Sequence, residues 1–239
     1  MTGSPAPVDP MRLRERLDSV RRRIASASGD PAAVRIVAVT KGFGVDAVEA
    51  ALAVGLTDIG ENYADELVAK APAVTTGSRV VWHFLGAVQR NKVARLVPTV
   101  SWWQAVNRVE EGRAIAKRMP GSHVLVQVDV AGLPGRGGCP PSQVRDLVGT
   151  LRDEDLDVAG LMAVGPPGPP DDARPGFALV SSLADSLALP VRSMGMSDDL
   201  EVALAEGSTM VRLGRALFGV RPPRPARRAP APEGPDDRS

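Results

Sequence analysis

The sequence predicts a single-domain α/β protein, a closed (β/α)8 barrel of TIM type, on three observations. Eight short apolar runs recur along the chain, amphipathic stretches separate them, and 239 residues suit one such barrel. Strands that alternate with helices pair in parallel through right-handed crossovers. Eight units in this length fit a closed barrel better than an open sheet. A doubly wound sheet is the alternative, because two of the eight runs are weak.

The elements follow in order. Asp9 reads as an N-cap and Pro10 as the first helical residue, and Leu13, Leu17, Val20 and Ile24 then form a stripe at helical spacing. Gly29 and Pro31 end that helix. The strand candidates are Arg35–Thr40, Thr57–Gly60, Val80–Phe84, Ser101–Ala105, His123–Val130, Asp157–Met162, Pro190–Met194 and Met210–Leu213. Thr57–Gly60 and Ser101–Ala105 are the two weak ones. Segments rich in Ala, Glu, Leu and Arg lie between them, such as DAVEAALAVG from Asp46 and RVEEGRAIAKRM from Arg108. Residues 1–8 are small, polar and proline-containing, and are expected to be flexible. From Arg221 to Ser239 the chain has many prolines and no apolar periodicity, so a disordered tail is expected there. The folded body is therefore expected to span residues 9–220, with no second domain.

Composition narrows the function. A formal charge of +1 creates no broad field, so neither nucleic acid nor an anionic membrane is an expected partner. No apolar run approaches the ~20 residues that span a bilayer, and the first ten residues lack the pattern of a signal peptide. Cys139 is the one cysteine, which excludes an internal disulfide and fits a reducing, cytoplasmic setting. Two histidines without carboxylates at ligand spacing make no metal site.

A barrel gathers its functional residues just after the C-terminal ends of its strands. Lys41 follows the first strand, Glu61-Asn62-Tyr63 the second, SMGMSDD the seventh and GRALFG the eighth, while His83 sits near the end of the third. A lysine at the end of a Val/Ile/Ala-rich strand is desolvated. That lowers its pKa and exposes the neutral amine that attacks an aldehyde. The competing role is a lysine that snorkels to solvent. The loops after strands seven and eight are where barrels bind phosphate. Ser193, Gly195 and Ser197 lie in the first, with Ser197 where an N-cap would be, and Gly214 and Arg215 lie in the second. Arg212, between Val211 and Leu213, is expected to face the barrel interior, where a guanidinium needs a partner. A carboxylate or a pyridine nitrogen would serve. Trp82, Trp102 and Trp103 read as strand residues packed against helices. Arg90 and Lys92 read as solvated charges or as attractors of an anion at the rim.

In chain order, VAVTKGF, IGENYADEL, WHFLGAVQRNK, GLMAVGP and SMGMSDDLEVALAEGSTMVRLGRALFG resemble the signature segments of the pyridoxal phosphate homeostasis protein family. The family is similar in fold to the N-terminal barrel of alanine racemase and lacks its second, β-rich domain. The resemblance runs from about residue 10 to residue 220. It implies pyridoxal 5′-phosphate (PLP) as cofactor, bound to Lys41 as a Schiff base, with Arg212 at the pyridine nitrogen. Ser197, Gly214 and Arg215 (through its backbone) would hold the phosphate, with Asn62 beside the cofactor and His83 lining the pocket. Two departures stand out. The family reads Ser-Lys-Thr or similar around the lysine where Thr40-Lys41-Gly42 stands here, and the loop AGLPGRGGCPPSQ is unlike the commoner serine- and lysine-containing version.

The implied role is intracellular PLP homeostasis, in which the cofactor is bound, buffered and released, possible recipients being apo PLP-dependent enzymes, without a dedicated reaction. A monomer is expected. The alternative is a PLP-dependent amino-acid racemase of low activity. That reaction needs a second acid/base on the opposite face of the cofactor, and Tyr63, the one tyrosine, would have to supply it. A third reading is an anion-binding barrel without PLP.

Overall fold

In the computed structural model, which describes residues 7–28, 30–75, 79–135 and 137–221, eight strands pair in chain order and the last closes on the first. They are β1 (Arg35–Val39), β2 (Asp58–Glu61), β3 (Val81–Phe84), β4 (Val100–Val106), β5 (His123–Gln127), β6 (Asp157–Met162), β7 (Val191–Ser193) and β8 (Met210–Leu213). Every pairing is parallel. The closed barrel therefore replaces the open-sheet alternative. Residues 1–6, Gly29 and residues 222–239, which carried some of the expectations above, lie outside the described residues.

Around the barrel run α1 (Pro10–Ser28), α2 (Val45–Ala53), α3 (Ala64–Lys70), α4 (Arg90–Leu96), α5 (Val109–Ala116), α6 (Val144–Asp153), α7 (Arg174–Ser186), α8 (Leu200–Ala205) and α9 (Arg215–Phe218). At the start of α1, the Asp9 carboxylate accepts from the Met11 N–H at 2.9 Å, and Leu13, Leu17, Val20 and Ile24 are its buried face. The outward-facing strand residues meet these helices in an annular core that includes Ile59, Trp82, Trp103, Leu161 and Val211. A second, smaller cluster of Val37, Ala105, Leu125, Met162 and Met210 fills the inside of the barrel. Alternation along the strands separates the two sets, interrupted in β4, where the register shifts between Trp103 and Val106 and both Gln104 and Ala105 lie inside.

Three local expectations are corrected. β5 stops at Gln127 rather than Val130. There the Asp129 carboxylate takes the N–H groups of Ala131 and Gly132 at 3.2 and 2.9 Å, and a side chain that satisfies local backbone ends a ladder. Trp102 does not pack against helices: Trp103 does, so the alternation turns Trp102 inward. It stacks between His83 and His123, with ring centroids 5.8 and 4.8 Å away, and Arg35 lies 5.2 Å from its centroid. Finally, the residue before α8 is Asp199, not Ser197.

Candidate cofactor site

The strand ends do converge. A cleft of about 420 Å³ is lined by residues after β1, β7 and β8, among them Lys41, Phe43, Ser197, Arg212, Gly214 and Arg215. Its size falls in the range of small-molecule sites, ~300–1,000 Å³. A larger hollow of about 650 Å³ between α4 and α5 is bordered by Arg90, Arg113, Lys117 and Arg118, whose side chains are all exposed. It offers no buried polar group.

Lys41 is half-buried at the turn that follows β1. Burial, then the positive charges of Arg221 and Arg212, pull its amine below the ordinary lysine range, and Glu61 opposes them. This is the environment that favours a neutral, nucleophilic amine.

Arg212 comes from β8, whose register sets it beside Val37 of β1. It is 5 % exposed, and burial pushes its guanidinium down to about 10, so it is still a cation at neutral pH. Nη1 donates to the Ser193 carbonyl at 2.6 Å and to Ser193 Oγ at 2.7 Å, and Nη2 donates to the Ala163 carbonyl at 2.7 Å. Its partners are thus neutral oxygens rather than the carboxylate a buried arginine usually finds. An intact positive charge with N–H capacity to spare borders the cleft.

Ser193 passes the arrangement on. Its hydroxyl donates to Gln104 Oε1 at 2.7 Å, Gln104 Nε2 reaches His83 Nδ1 at 2.7 Å, and His83 Nε2 reaches Asp58 Oδ1 at 2.9 Å. Donors and acceptors alternate consistently only if His83 is neutral with its proton on Nε2. Burial, which outweighs the pull of Asp58, lowers the His83 pKa accordingly. A polar column therefore runs through the barrel from Asp58 to Arg212. Gln104→Leu would leave the Ser193 hydroxyl and His83 Nδ1 without that partner. Chemical denaturation is expected to show a loss of about 2 kcal/mol, the cost of orphaned buried polar groups.

The loops after β7 and β8 are tied to each other. The Ser197 hydroxyl accepts from the Ala216 N–H at 3.0 Å, and Arg215 pairs with Asp198. Arg23 of α1 donates to the Ser197 carbonyl at 3.2 Å while pairing with Glu201 at 2.6 Å. Gly214 lies so near β1 that a Cβ there would sit 3.3 Å from the Val39 carbonyl oxygen.

The predicted residues thus separate into two groups. Lys41, Ser197, Arg212, Gly214 and Arg215 border one cleft. Asn62 and His83 are not among its lining residues. Asn62 follows β2, with a buried Oδ1 that has no partner. His83, expected to line the pocket, points into the barrel interior, because Trp82 and Phe84 on either side belong to the helix-facing core. Arg221 was assigned to the tail, yet it borders the cleft, where the bare backbone of Gly42 at φ +77° leaves room for its side chain. Nothing in a proline-rich context signals that. Ser193, expected in the phosphate-binding loop with Gly195 and Ser197, is instead the last residue of β7, buried beneath Arg212. For Gln104 a signal existed, a polar residue within a strand.

A sequence profile of the alanine racemase N-terminal domain matches residues 8–222. The pyridoxal phosphate homeostasis protein of Pseudomonas aeruginosa is 35% identical over 212 residues, which are 84% of this chain and 91% of that protein. The chain belongs to the pyridoxal phosphate homeostasis protein family. Its relative in Aquifex aeolicus is 33% identical over 88% of this chain and 97% of that protein. Among solved structures, PipY of Synechococcus elongatus with PLP bound is 30% identical, with a TM-score of 0.76 over 87% of this chain and 100% of that one. Alanine racemase of Corynebacterium glutamicum, at 16% identity and a TM-score of 0.64 over 62% of that chain, shares the fold. This member of the homeostasis family thus corresponds to the barrel part of that larger enzyme.

Proposed function

We propose that this protein binds PLP in the cleft at the C-terminal end of the barrel and serves its homeostasis by taking the cofactor up and giving it back. The observation that carries the reading is the meeting, in one cleft, of a half-buried lysine of lowered proton affinity and a buried arginine whose hydrogen bonds go to neutral oxygens. The linked loops at Ser197 and Gly214 agree with an occupant that has an anionic end.

When bound, PLP supplies an aldehyde that condenses with an amine, and a phosphate. Lys41 is the amine that would condense. Arg212, held from behind by Ser193 and Ala163, would meet the ring nitrogen. Ser197, Gly214 and Arg215 would receive the phosphate, and Arg221 would add positive charge. An arginine at the ring nitrogen gives up no proton, so the ring would be a weak electron sink, which suits storage better than transamination. Tyr63, on which a racemase would rely, is 42 % exposed and lies outside the lining of the cleft. Supply of PLP to apo-enzymes, action as a monomer and residence in the cytoplasm complete the reading. Among the described residues, no helix is long and apolar enough to cross a membrane.

Borohydride reduction of the PLP-treated protein, followed by peptide mass mapping, tests the reading. A pyridoxyl adduct on the Lys41 peptide is expected. An adduct elsewhere, or none, would overturn it. The electrostatics give a further prediction. Removing the Arg221 charge lets the Lys41 amine hold its proton more strongly, so in Arg221→Ala the pH profile of PLP uptake moves to higher pH. Stopped-flow absorbance at a series of pH values reads that displacement.

A further inference from the structure

Lys41 is the second residue of a four-residue turn, closed by the Phe43 N–H to the Thr40 carbonyl at 3.0 Å and made possible by Gly42 at φ +77°. The residues on both sides of Lys41 are held by side chains from β2 and α3. Lys70, the last residue of α3, is 7 % exposed and donates to the Thr40 carbonyl at 2.9 Å and to Glu61 Oε1 at 2.6 Å. Its third contact is Glu66 Oε2 at 3.4 Å. The Thr40 hydroxyl donates to the same Glu61 Oε1 at 2.6 Å. The Gly42 N–H donates to Glu66 Oε2 at 2.8 Å. Both peptide groups that flank the Lys41 Cα are therefore pinned by one ion-paired cluster.

This cluster is an expensive way to stabilise a fold. Glu61 is fully buried, and its Oε2 has no partner although Oε1 has two. Burial drives its carboxyl above the ordinary range against the pull of Lys70. A buried ion pair is often matched or bettered by apolar residues of similar volume, so stability alone accounts poorly for one with a carboxylate oxygen unsatisfied. Its position accounts for it better, since beyond the contacts of Lys70 with its two carboxylates every bond ends on the turn that presents Lys41.

We propose that Glu61, Lys70 and Glu66 are positioning residues for Lys41, forming a clamp that fixes its turn and so governs how readily the amine captures and returns PLP. The clamp rests on the PLP reading above for its purpose, not for its geometry. The charged groups that act on the Lys41 amine are Arg221 after α9, Arg212 from β8 and Glu61 from β2; Asp198 and Arg215 border the same cleft, while Glu66 and Lys70 from α3 hold the backbone on either side of Lys41. Glu61 is the member of the clamp whose charge favours the protonated amine.

Two measurements on Glu61→Gln and on Glu61→Gln/Lys70→Met test this. Competitive acetylation of the ligand-free protein, mapped to the Lys41 peptide across pH, reads the neutral amine. Transfer of PLP to an apo-enzyme reads release. In both variants the acetylation profile is expected to move to lower pH, and release to become about tenfold faster, the scale of one charge-assisted hydrogen bond. The double variant, with no buried charge left over, is expected to regain the wild-type melting temperature without regaining slow release. Wild-type acetylation profiles, or a double variant that recovers stability and release together, would overturn the proposal and leave the cluster a purely structural pair. Should neither variant fold, Glu66→Ala decides. It frees only the Gly42 N–H and the weaker contact, and release at the wild-type rate would overturn the clamp. If the wild-type protein places no PLP on Lys41, the functional reading fails, while the acetylation profiles still decide the clamp.

Discussion

Lys41→Ala is expected to abolish covalent capture of PLP: no visible absorbance band forms when the cofactor is added, and borohydride leaves no pyridoxyl group on the protein. The effect is all or none because a condensation needs an amine, and no other lysine borders the cleft. Lys70 is close in the fold, but its ammonium is occupied by Thr40, Glu61 and Glu66 and is not presented to the cleft. Loss of binding altogether is not expected. Arg212, Arg215 and Arg221 still surround the space, so weak, non-covalent retention of the phosphorylated ligand should be measurable by equilibrium dialysis. Stability should change little. The Lys41 side chain is half-exposed, and removing a desolvated amine flanked by two arginines relieves repulsion. A melting temperature within a few degrees of wild type would show that the lost band reports chemistry and not unfolding.

Arg212→Met is expected to have the largest effect on the fold and site together. Three hydrogen bonds disappear. The Ser193 carbonyl keeps its bond from the Ala163 N–H at 3.1 Å, but the Ala163 carbonyl loses the guanidinium inside the barrel. Bonds to a charged donor contribute ~1.5–3 kcal/mol each, and the relief of a buried charge offsets part of that. A net loss of about 3 kcal/mol follows, or roughly 6–12 °C in melting temperature for a domain of this size. PLP affinity should fall as well, since the cation nearest the barrel axis is gone. Arg212→Lys should rescue neither. A single ammonium cannot reproduce the planar fork that reaches Ser193 and Ala163 at once. Differential scanning calorimetry with and without PLP separates the two losses, because bound ligand adds stability only where the site survives.

Much of the barrel was legible because its cause is periodic. A strand whose alternate residues meet helices must read apolar at those positions, and a helix on its outside must repeat near 3.6 residues. The two weakest strand segments failed to stand out for a related reason. In β2 the sequence is only Asp-Ile-Gly-Glu, with charged and small residues at inward or terminal positions. β4 hides Gln104 and Trp102 inside the barrel among residues that looked helix-facing. Inward positions of this barrel are partly polar, so apolar patterning undercounts them.

The division is sharpest at the site. From the order of residues alone came the lysine at a strand end, the serine and glycines after the seventh and eighth strands, and an inward arginine. Each of these follows from a local rule about where barrel strands end and which way alternate side chains point. The three-dimensional fold alone decided what each of them touches. It gave Arg212 carbonyl and hydroxyl partners 19 and 49 residues away, turned His83 into the column beneath it, brought Arg221 out of a proline-rich stretch to the cleft, and set Lys70 against the turn of Lys41. Contacts of that kind depend on barrel closure, which brings β8 beside β1 and β4 across from β7. Sequence spacing carries no record of which inward side chains will meet across a closed interior.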